Sequence, residues 1–236
     1  MIMLDLPEAN YFLSSAKENE KVILVILGGR QPQASWLGAL PNYEIFCADR
    51  GAEYALSANR KVTLLIGDED STNYDVYAKV LADGGVVQKH PADKDFTDLQ
   101  LLIKEISKNP CHLLVAGALG GRLDHLQSNL RTFLTYKKTT GKQVLLADGQ
   151  ESVALLFQGE TCLVDIKNEP LPKVGILPLA ENSVATMDHV KWPMEKMALS
   201  LDTPNTLSNR PLDKEVWAQC DEGKIGFYFC FGEEGL

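Results

Sequence analysis

Acidic and glycine-rich segments between residues 67 and 124 contain side chains that could bind a metal ion and phosphate. Segment 67–71 (GDEDS) places three carboxylates in succession. Because neighbouring like charges repel, this segment favours a compensating cation. Mg²⁺ binds carboxylate oxygens and commonly shares substrate phosphates. In an extended segment Asp68 and Asp70 point the same way, so we predict them as metal ligands. A solvated acidic loop is the alternative.

A second acidic segment, 94–98 (KDFTD), opens a predicted helix. Asp98 adds another carboxylate suited to a metal ion, and Lys94 supplies a cation suited to a phosphate or a leaving group. The spacing of Asp95 and Asp98 also fits a helix cap followed by an acid in the first turn. For this segment the sequence favours contact with a metal ion or a phosphate over the helix-cap explanation.

The most specific segment is 117–125 (GALGGRLDH). Its glycines allow the backbone to approach a ligand closely, and the helix predicted to begin after Arg122 offers unpaired amides to an anion. We predict that Gly120, Gly121 and Arg122 bind phosphate. Asp124 lies where a metal ion or an attacking hydroxyl would need it, whereas His125 is expected to be a packing residue or a residue that supports the site from behind, and not a base. A simple tight turn is the alternative, and neither GxxxxGK[ST] nor GxGxxG is present.

Segment 48–51 (ADRG) follows a predicted strand. Asp49 could contact a nucleotide, or it could cap the helix that follows. The sequence leaves both explanations open.

Alternating elements predict how these loops are positioned. Apolar, β-branched runs at 22–27, 44–48, 62–66, 86–88, 112–116 and 143–147 predict strands. Helical spacing of apolar residues predicts helices at 52–57, 74–82, 97–107 and 123–137. This order predicts an α/β domain over 1–148, with a mostly parallel sheet flanked by helices. Ligands of such sheets bind beyond the carboxyl ends of the strands, where the polar segments fall.

The pattern changes after about Asp148. Short strand-like runs separated by turns occupy 152–157, 161–166, 174–178, 183–190, 215–219 and 225–231. This spacing predicts a smaller all-β domain, a sandwich or barrel, over 149–236.

Composition excludes several classes of protein. The 236 residues carry a formal net charge of −9, which disfavours a nucleic-acid partner. Five cysteines without CxxC spacing suit a reducing compartment. The first residues do not resemble a secretory signal, and the longest apolar stretch is too short to span a membrane. We therefore expect a cytoplasmic protein without a membrane partner.

The order ADRG, GDEDS, KDFTD and GALGGRLDH resembles the thiamine pyrophosphokinase family. Later segments also resemble that family, namely 189–194 (HVKWPM) and 206–209 (TLSN). The similarity covers nearly the whole chain. It implies a homodimer that transfers pyrophosphate from ATP to the hydroxyl of thiamine and releases AMP, with domain 1–148 binding the nucleotide and domain 149–236 serving thiamine binding and dimerisation.

The resemblance also assigns roles to individual residues. The family's acids that bind Mg²⁺ and phosphate match Asp68, Asp70 and Asp98. Its phosphate-binding arginine matches Arg122, and its acid near the attacking hydroxyl matches Asp124. Its supporting contacts to the nucleotide or thiamine match Asp49, Ser71, Lys94 and Thr97, and its thiamine side matches Trp192, Ser208 and Asn209. Core packing is the alternative for Trp192.

Two residues depart from the family pattern. Glu69 stands where the family usually has phenylalanine, and Arg210 stands where it usually has glutamate. The second departure leaves room for a pyrophosphokinase that acts on another alcohol, such as a pterin. The DxDxT spacing of 68–72 also allows an aspartyl-phosphate phosphatase. A nucleotide or thiamine sensor without turnover is the non-enzymatic alternative.

Overall fold

The computed structural model describes residues 1–14, 20–67, 73–91, 95–203 and 206–232. It forms two compact units, Lys21–Asp148 and a second that combines Met1–Glu20 with Gly149–Leu236. The strands are β1 (Ile2–Asp5), β2 (Ala9–Leu13), β3 (Val22–Ile26), β4 (Glu44–Ala48), β5 (Leu64–Gly67), β6 (Val86–Lys89), β7 (His112–Ala116), β8 (Val144–Ala147), β9 (Glu151–Phe157), β10 (Thr161–Ile166), β11 (Lys173–Pro178), β12 (Ser183–Asp188), β13 (Met194–Leu199), β14 (Glu215–Glu222) and β15 (Lys224–Cys230). The helices are α1 (Ala34–Ala39), α2 (Gly51–Ser57), α3 (Tyr74–Ala82), α4 (Asp98–Ile106) and α5 (Leu123–Thr140).

Parallel strands form the sheet of the Lys21–Asp148 unit. They lie in the order β8-β7-β3-β4-β5-β6, and each neighbouring pair is parallel. Every residue of β5, β7 and β8 is buried, as expected for strands covered on both faces. The carboxyl ends of these strands therefore lie at one edge, which is where the loops of interest begin.

Local sequence explains where the two helices nearest that edge begin and end. Helix α4 follows Thr97, whose hydroxyl accepts from the Gln100 N–H at 3.2 Å while the Gln100 side chain accepts from the Thr97 N–H at 2.9 Å. This reciprocal capping box fixes the start of the helix. Helix α5 ends at Gly141, which adopts a left-handed conformation with φ 69°.

Antiparallel strands form the other unit. One sheet has the order β1-β2-β10-β14-β12-β13, and β15 pairs with β9 on one side and β11 on the other. Buried aromatic rings fill its core, with the centroids of Phe227 and Phe229 4.7 Å apart. The buried hydroxyl of Tyr11 hydrogen-bonds the Ser152 hydroxyl at 2.5 Å. These contacts join the N-terminal strands to the core of the all-β unit.

The structure differs from the sequence prediction at the N-terminus. The prediction placed residues 1–20 with the α/β domain, whereas β2 pairs with β10 from Ala9↔Ile166 to Leu13↔Cys162. Alternating burial along β1 and β2 makes this pairing favourable, because their apolar faces join the antiparallel core. The chain as a whole therefore contains mixed pairings, few helices and a C-terminal all-β part. Helix α1 and strand β13 were also absent from the prediction.

None of the helices in the described part of the chain combines the length and apolar character needed to cross a lipid bilayer.

Candidate active site

A cavity of about 1080 Å³ opens at the carboxyl ends of β3, β4 and β7, within the Lys21–Asp148 unit. Its walls come from four loops and from the first turns of α4 and α5. The lining residues are 27–30, 48–50, 95–99, Ala118, 120–122, Asp124, His125, Ser128 and Asn129. A cavity in this position is typical of ligand sites in open parallel sheets.

Two glycine-containing loops meet at the back of this cavity. The Gly29 N–H donates to the Gly117 carbonyl oxygen at 2.8 Å, and the Arg30 N–H donates to the Leu119 carbonyl oxygen at 3.0 Å. A Cβ atom on Gly29 would lie only 2.4 Å from the Gly117 oxygen. Glycine therefore permits the close approach that holds the loops after β3 and β7 together.

The side chain of Arg30 is fixed by Asp148. Both Nε and Nη2 of Arg30 lie 2.6 Å from Oδ2 of Asp148, whose side chain is 1 % exposed. Neither residue was among the predicted site residues. A signal was present in the sequence, because Gly28-Gly29-Arg30 repeats the triplet of Gly120-Gly121-Arg122 directly after a predicted strand.

Arg122 and Asp124 form a second pair at the front of the cavity. The Nε–Oδ1 distance is 3.1 Å and the Nη2–Oδ2 distance is 2.6 Å. The side chains are 74 % and 63 % exposed, respectively. The hydrogen bond with Arg122 lowers the pKa of Asp124 from its usual value, and the same bond raises the pKa of Arg122. The structure thus brings together two residues predicted to have separate roles.

Gly120 and Gly121 both line the cavity and have positive φ angles of 67° and 73°. They lead directly into α5, which begins after Arg122. In the first turn, Oδ1 of Asp124 accepts a hydrogen bond from the His125 N–H at 2.9 Å. The side chain of His125 is exposed and lines the cavity, which rules out the packing role, and a supporting role at the site stays a prediction.

Asp98 is buried at the cavity wall, where α4 begins. The alternative of a helix cap at Asp95 is wrong, because Thr97 and Gln100 form the cap, whereas Asp98 does lie in the first turn as that alternative expected. Thr97 lines the cavity while its hydroxyl accepts the helix N–H. Its role as a ligand contact stays a prediction.

Asp49 also lines the cavity, in a left-handed conformation with φ 51°. Its N–H donates to the Ile66 carbonyl oxygen at 3.0 Å. The N-cap residue of α2 is Arg50, and among the described residues no side chain caps this helix. The cap explanation for Asp49 is therefore not adopted, and a non-glycine residue at positive φ marks a backbone constrained by its surroundings.

Four predicted site residues, Asp68, Asp70, Ser71 and Lys94, lie outside the described residues. Across the described ranges, no group of three or more His, Cys, Asp or Glu side chains could hold a metal ion. Asp98 is the predicted metal ligand that the structure does describe. The buried carboxylate of Asp98 on the cavity wall fits the oxygen ligands that Mg²⁺ prefers.

The predicted thiamine residues lie in the other unit, where Asn209 holds Trp192. Oδ1 of the buried Asn209 accepts from the Trp192 N–H at 3.1 Å, and Nδ2 donates to the Trp192 carbonyl oxygen at 2.7 Å. Trp192 is 55 % exposed, so core packing does not explain this tryptophan. Lys191 Nζ lies 4.6 Å from its ring centroid. Ser208, beside Asn209, has a positive φ of 57°.

The N–H of Arg210 donates to Asn209 Oδ1 at 2.9 Å, and its exposed side chain stands next to this corner. The departure from the family pattern therefore leaves the contact between Asn209 and Trp192 intact.

Two family models match this chain. The model described as "Thiamin pyrophosphokinase, catalytic domain" matches residues 42–145. The model described as "Thiamin pyrophosphokinase, vitamin B1 binding domain" matches residues 161–225. Together they cover more than half of the sequence.

Named relatives agree with these matches. Thiamine pyrophosphokinase 1 of Oryza sativa subsp. japonica is 28 % identical over 174 residues, which are 70 % of this chain and 65 % of the relative. Thiamine pyrophosphokinase of Bacillus subtilis (strain 168) is 27 % identical over 164 residues, 68 % of this chain and 75 % of the relative. The matched part of this chain thus spans slightly less than two thirds of the rice protein.

A crystal structure of thiamine pyrophosphokinase from Bacillus subtilis has the same fold, with a TM-score of 0.77 at 21 % identity, covering 90 % of this chain and 100 % of that chain. The two matched regions fall within the α/β unit and the all-β unit, respectively. The chain belongs to the thiamine pyrophosphokinase family.

Proposed function

We propose that this protein transfers pyrophosphate from ATP to the hydroxyl of thiamine, with Mg²⁺ as the metal ion, and releases AMP. The observation that carries this proposal is the cavity that Asp98, the glycine segment and the Arg122–Asp124 pair share. Phosphoryl-type transfer needs positioning and charge neutralisation more than covalent help from the protein. These residues supply both.

The triphosphate occupies the cavity beside the start of α5 in this proposal. The backbone amides around Gly120 and Gly121 face an anion there, and Arg122 offers a planar fork that matches phosphate oxygens. Asp98, together with Asp68 and Asp70, would hold Mg²⁺. When bound, the metal ion supplies positive charge to the phosphate oxygens.

Pairing of Arg122 with Asp124 supports a coupled role for these two residues. Both side chains are exposed, so their bond is weak enough to exchange for a ligand. When Arg122 moves to a phosphate, Asp124 is released to accept a hydrogen bond from the attacking hydroxyl. Until that exchange, the hydrogen bond with Arg122 lowers the pKa of Asp124 and holds this carboxylate in its ionised form. Asp49 and Thr97, with Ser71 and Lys94, complete the proposed contacts to the nucleotide or thiamine.

Thiamine carries a cationic ring, which the face of an exposed tryptophan attracts. Lys191 Nζ lies over the Trp192 ring in the structure, and this contact supports the assignment of a cation to that face. Asn209 fixes the backbone of Trp192 through two hydrogen bonds. We assign Trp192, Ser208 and Asn209 to the thiamine side.

Homodimer formation is part of the proposal. The segment around Trp192 exposes further large apolar side chains, including Leu207 and Leu212, which are 61 % and 69 % exposed. Exposed apolar side chains grouped in this way favour a protein partner. The five cysteines are free, and four are buried, which supports a reducing compartment such as the cytoplasm.

The direct test is incubation with ATP, Mg²⁺ and thiamine, followed by mass detection of thiamine diphosphate and AMP. Both products should form together, and neither should form when thiamine is omitted. A parallel reaction with a hydroxymethyl pterin tests the other alcohol. Formation of a pterin diphosphate without thiamine diphosphate would show that the substrate is a pterin and not thiamine. ATP binding without AMP release would indicate a sensor without turnover.

A further inference from the structure

We propose that Arg30 is a phosphate-binding residue of this cavity and that Asp148 is the positioning residue that holds its guanidinium in place. This inference rests on the proposed function, because that function supplies the nucleotide triphosphate as the ligand. It adds a cation that neither the sequence motifs nor the family resemblance assigned.

The backbone of Arg30 is fixed at the cavity edge. Its N–H donates to the Leu119 carbonyl oxygen at 3.0 Å, which ties the loop after β3 to the loop that leads into α5. Both Arg30 and the predicted phosphate-binding glycines line the same cavity. Arg30 therefore lies beside the segment where the phosphates are expected.

Gly120 makes room for the Arg30 side chain. A Cβ atom on Gly120 would lie 3.0 Å from Cβ, 3.4 Å from Cδ and 3.5 Å from Nε of Arg30. Gly120 also has a positive φ of 67°, which disfavours a larger residue. The absence of a side chain at Gly120 therefore leaves space for the Arg30 side chain as well as for a ligand at the backbone amide.

Asp148 orients the guanidinium instead of merely neutralising it. A guanidinium carries its five N–H donors in one rigid plane, and both Nε and Nη2 of Arg30 contact the same carboxylate oxygen of Asp148. Because Asp148 is almost completely buried, this partner stays in position when a ligand enters. The plane of the arginine is therefore set before binding.

Preorganisation distinguishes Arg30 from the other arginines that line the cavity. The side chain of Arg30 is 28 % exposed, compared with 61 % for Arg50 and 74 % for Arg122. An ordered cation loses less conformational freedom when it binds an anion, so it contributes more to affinity. The geometry favours Arg30 as the cation that is ready for phosphate in the free protein.

The experiment measures ATP affinity by calorimetry in the presence of Mg²⁺, and the KM values for ATP and thiamine by turnover. Arg30→Ala should weaken ATP binding about 10- to 100-fold, as expected for a lost charged hydrogen bond. Arg30→Lys should restore part of the affinity, because it keeps the charge and loses the planar fork. The KM for thiamine should change less than about twofold if Arg30 contacts only the nucleotide.

Asp148→Asn tests the positioning role while keeping the size of the side chain. It should raise the KM for ATP by less than Arg30→Ala does and leave the KM for thiamine unchanged. Arg131→Ala is the matched control, because Arg131 is an exposed arginine of α5 outside the cavity lining. Circular dichroism and thermal unfolding establish that each variant is folded, and Arg30→Lys replaces Arg30→Ala if the latter is not.

Unchanged ATP affinity in folded Arg30 variants would overturn the inference, as would equal losses for ATP and thiamine. The binding measurement also separates the two proposals. A wild-type protein that binds ATP through Arg30 but makes no thiamine diphosphate contradicts the proposed function alone. A wild-type protein that makes thiamine diphosphate, with ATP affinity indifferent to Arg30, contradicts this inference alone.

Discussion

The two Gly-Gly-Arg segments of the cavity, 28–30 and 120–122, have the same three residues and opposite environments. Arg30 bonds an aspartate 118 residues away that is 1 % exposed. Arg122 bonds an aspartate two residues away, and both side chains of this pair lie largely in solvent. Each triplet follows a parallel strand and lines the same cavity.

This difference indicates that the carboxylate partner, and not the Gly-Gly-Arg motif, determines whether an arginine is held in place or can exchange its partner. A buried carboxylate from another strand end fixes Arg30, since the surrounding core prevents either group from moving freely. A neighbouring exposed carboxylate leaves Arg122 able to exchange partners, because solvent screens the bond. The first segment suits constant binding, and the second suits a change during the reaction.

The largest effect is expected for Arg122→Ala, which removes the exchangeable cation. Turnover should fall by about 10²- to 10³-fold, because one charge-stabilising contact is lost as charge develops. Thermal stability should stay near that of the wild type, since the pair is exposed. Initial rates and a melting curve measure both quantities, and near-normal turnover would contradict the assigned role.

A smaller loss, this time of stability, is expected for Asp148→Ala. Removing the buried partner of Arg30 should lower the free energy of unfolding by about 1–3 kcal/mol, because hydrogen-bonding groups that the fold shields lose their partner. Urea unfolding at constant pH measures the change. An Asp148→Ala variant as stable as the wild type would contradict the difference drawn between the buried Arg30–Asp148 pair and the exposed Arg122–Asp124 pair.

Asp124→Asn is the matching change in the exposed pair. Its urea midpoint should be indistinguishable from that of the wild type, since an ion pair in solvent contributes little to folding. Turnover should nevertheless fall, because the carboxylate is proposed to orient the hydroxyl. A marked loss of stability would show that this pair is structural, as Arg30 with Asp148 is.

The smallest effect concerns the pKa of Asp124, which Arg122 lowers. Arg122→Gln should raise this pKa towards the ordinary value of an aspartate, as measured by carboxyl ¹³C NMR titration. Because the folded pKa is the lower one, the pair stabilises the fold above the unfolded pKa and loses that effect as pH falls through the folded pKa. An unchanged titration curve would show that the two groups do not interact in solution.

Much of the α/β unit could be predicted because its signals are local. Apolar β-branched runs predicted the parallel strands, and apolar spacing predicted α3, α4 and α5 within a few residues. The N-terminal strands were missed for a different reason. They form through pairing with β10, about 150 residues later in the chain, and a local pattern cannot indicate that partner.

In the candidate site, too, residues within local motifs could be predicted, whereas a partner distant in sequence could not. Arg122, Asp124, Asp98 and Asp49 were predicted from clustered motifs, and the structure places all four at one cavity. Arg30 carried a local signal in the repeated triplet, yet its partner Asp148 could not be inferred from spacing. The cap of α4 was not predicted, because Thr97 with Gln100, and not an aspartate as in the alternative explanation, makes the bonds that begin this helix.

The pairing of β2 with β10 has a consequence for biosynthesis. The strand Ala9–Leu13 leaves the ribosome long before its neighbour at Cys162–Ile166. At synthesis rates of about 5–20 residues per second, the first strand waits on the order of 10–30 seconds for that neighbour. The Lys21–Asp148 unit, in which β3 to β8 pair in parallel, emerges completely during this interval. The nascent chain can thus complete the Lys21–Asp148 unit first, while the hairpin of β1 and β2 waits for β10 to emerge.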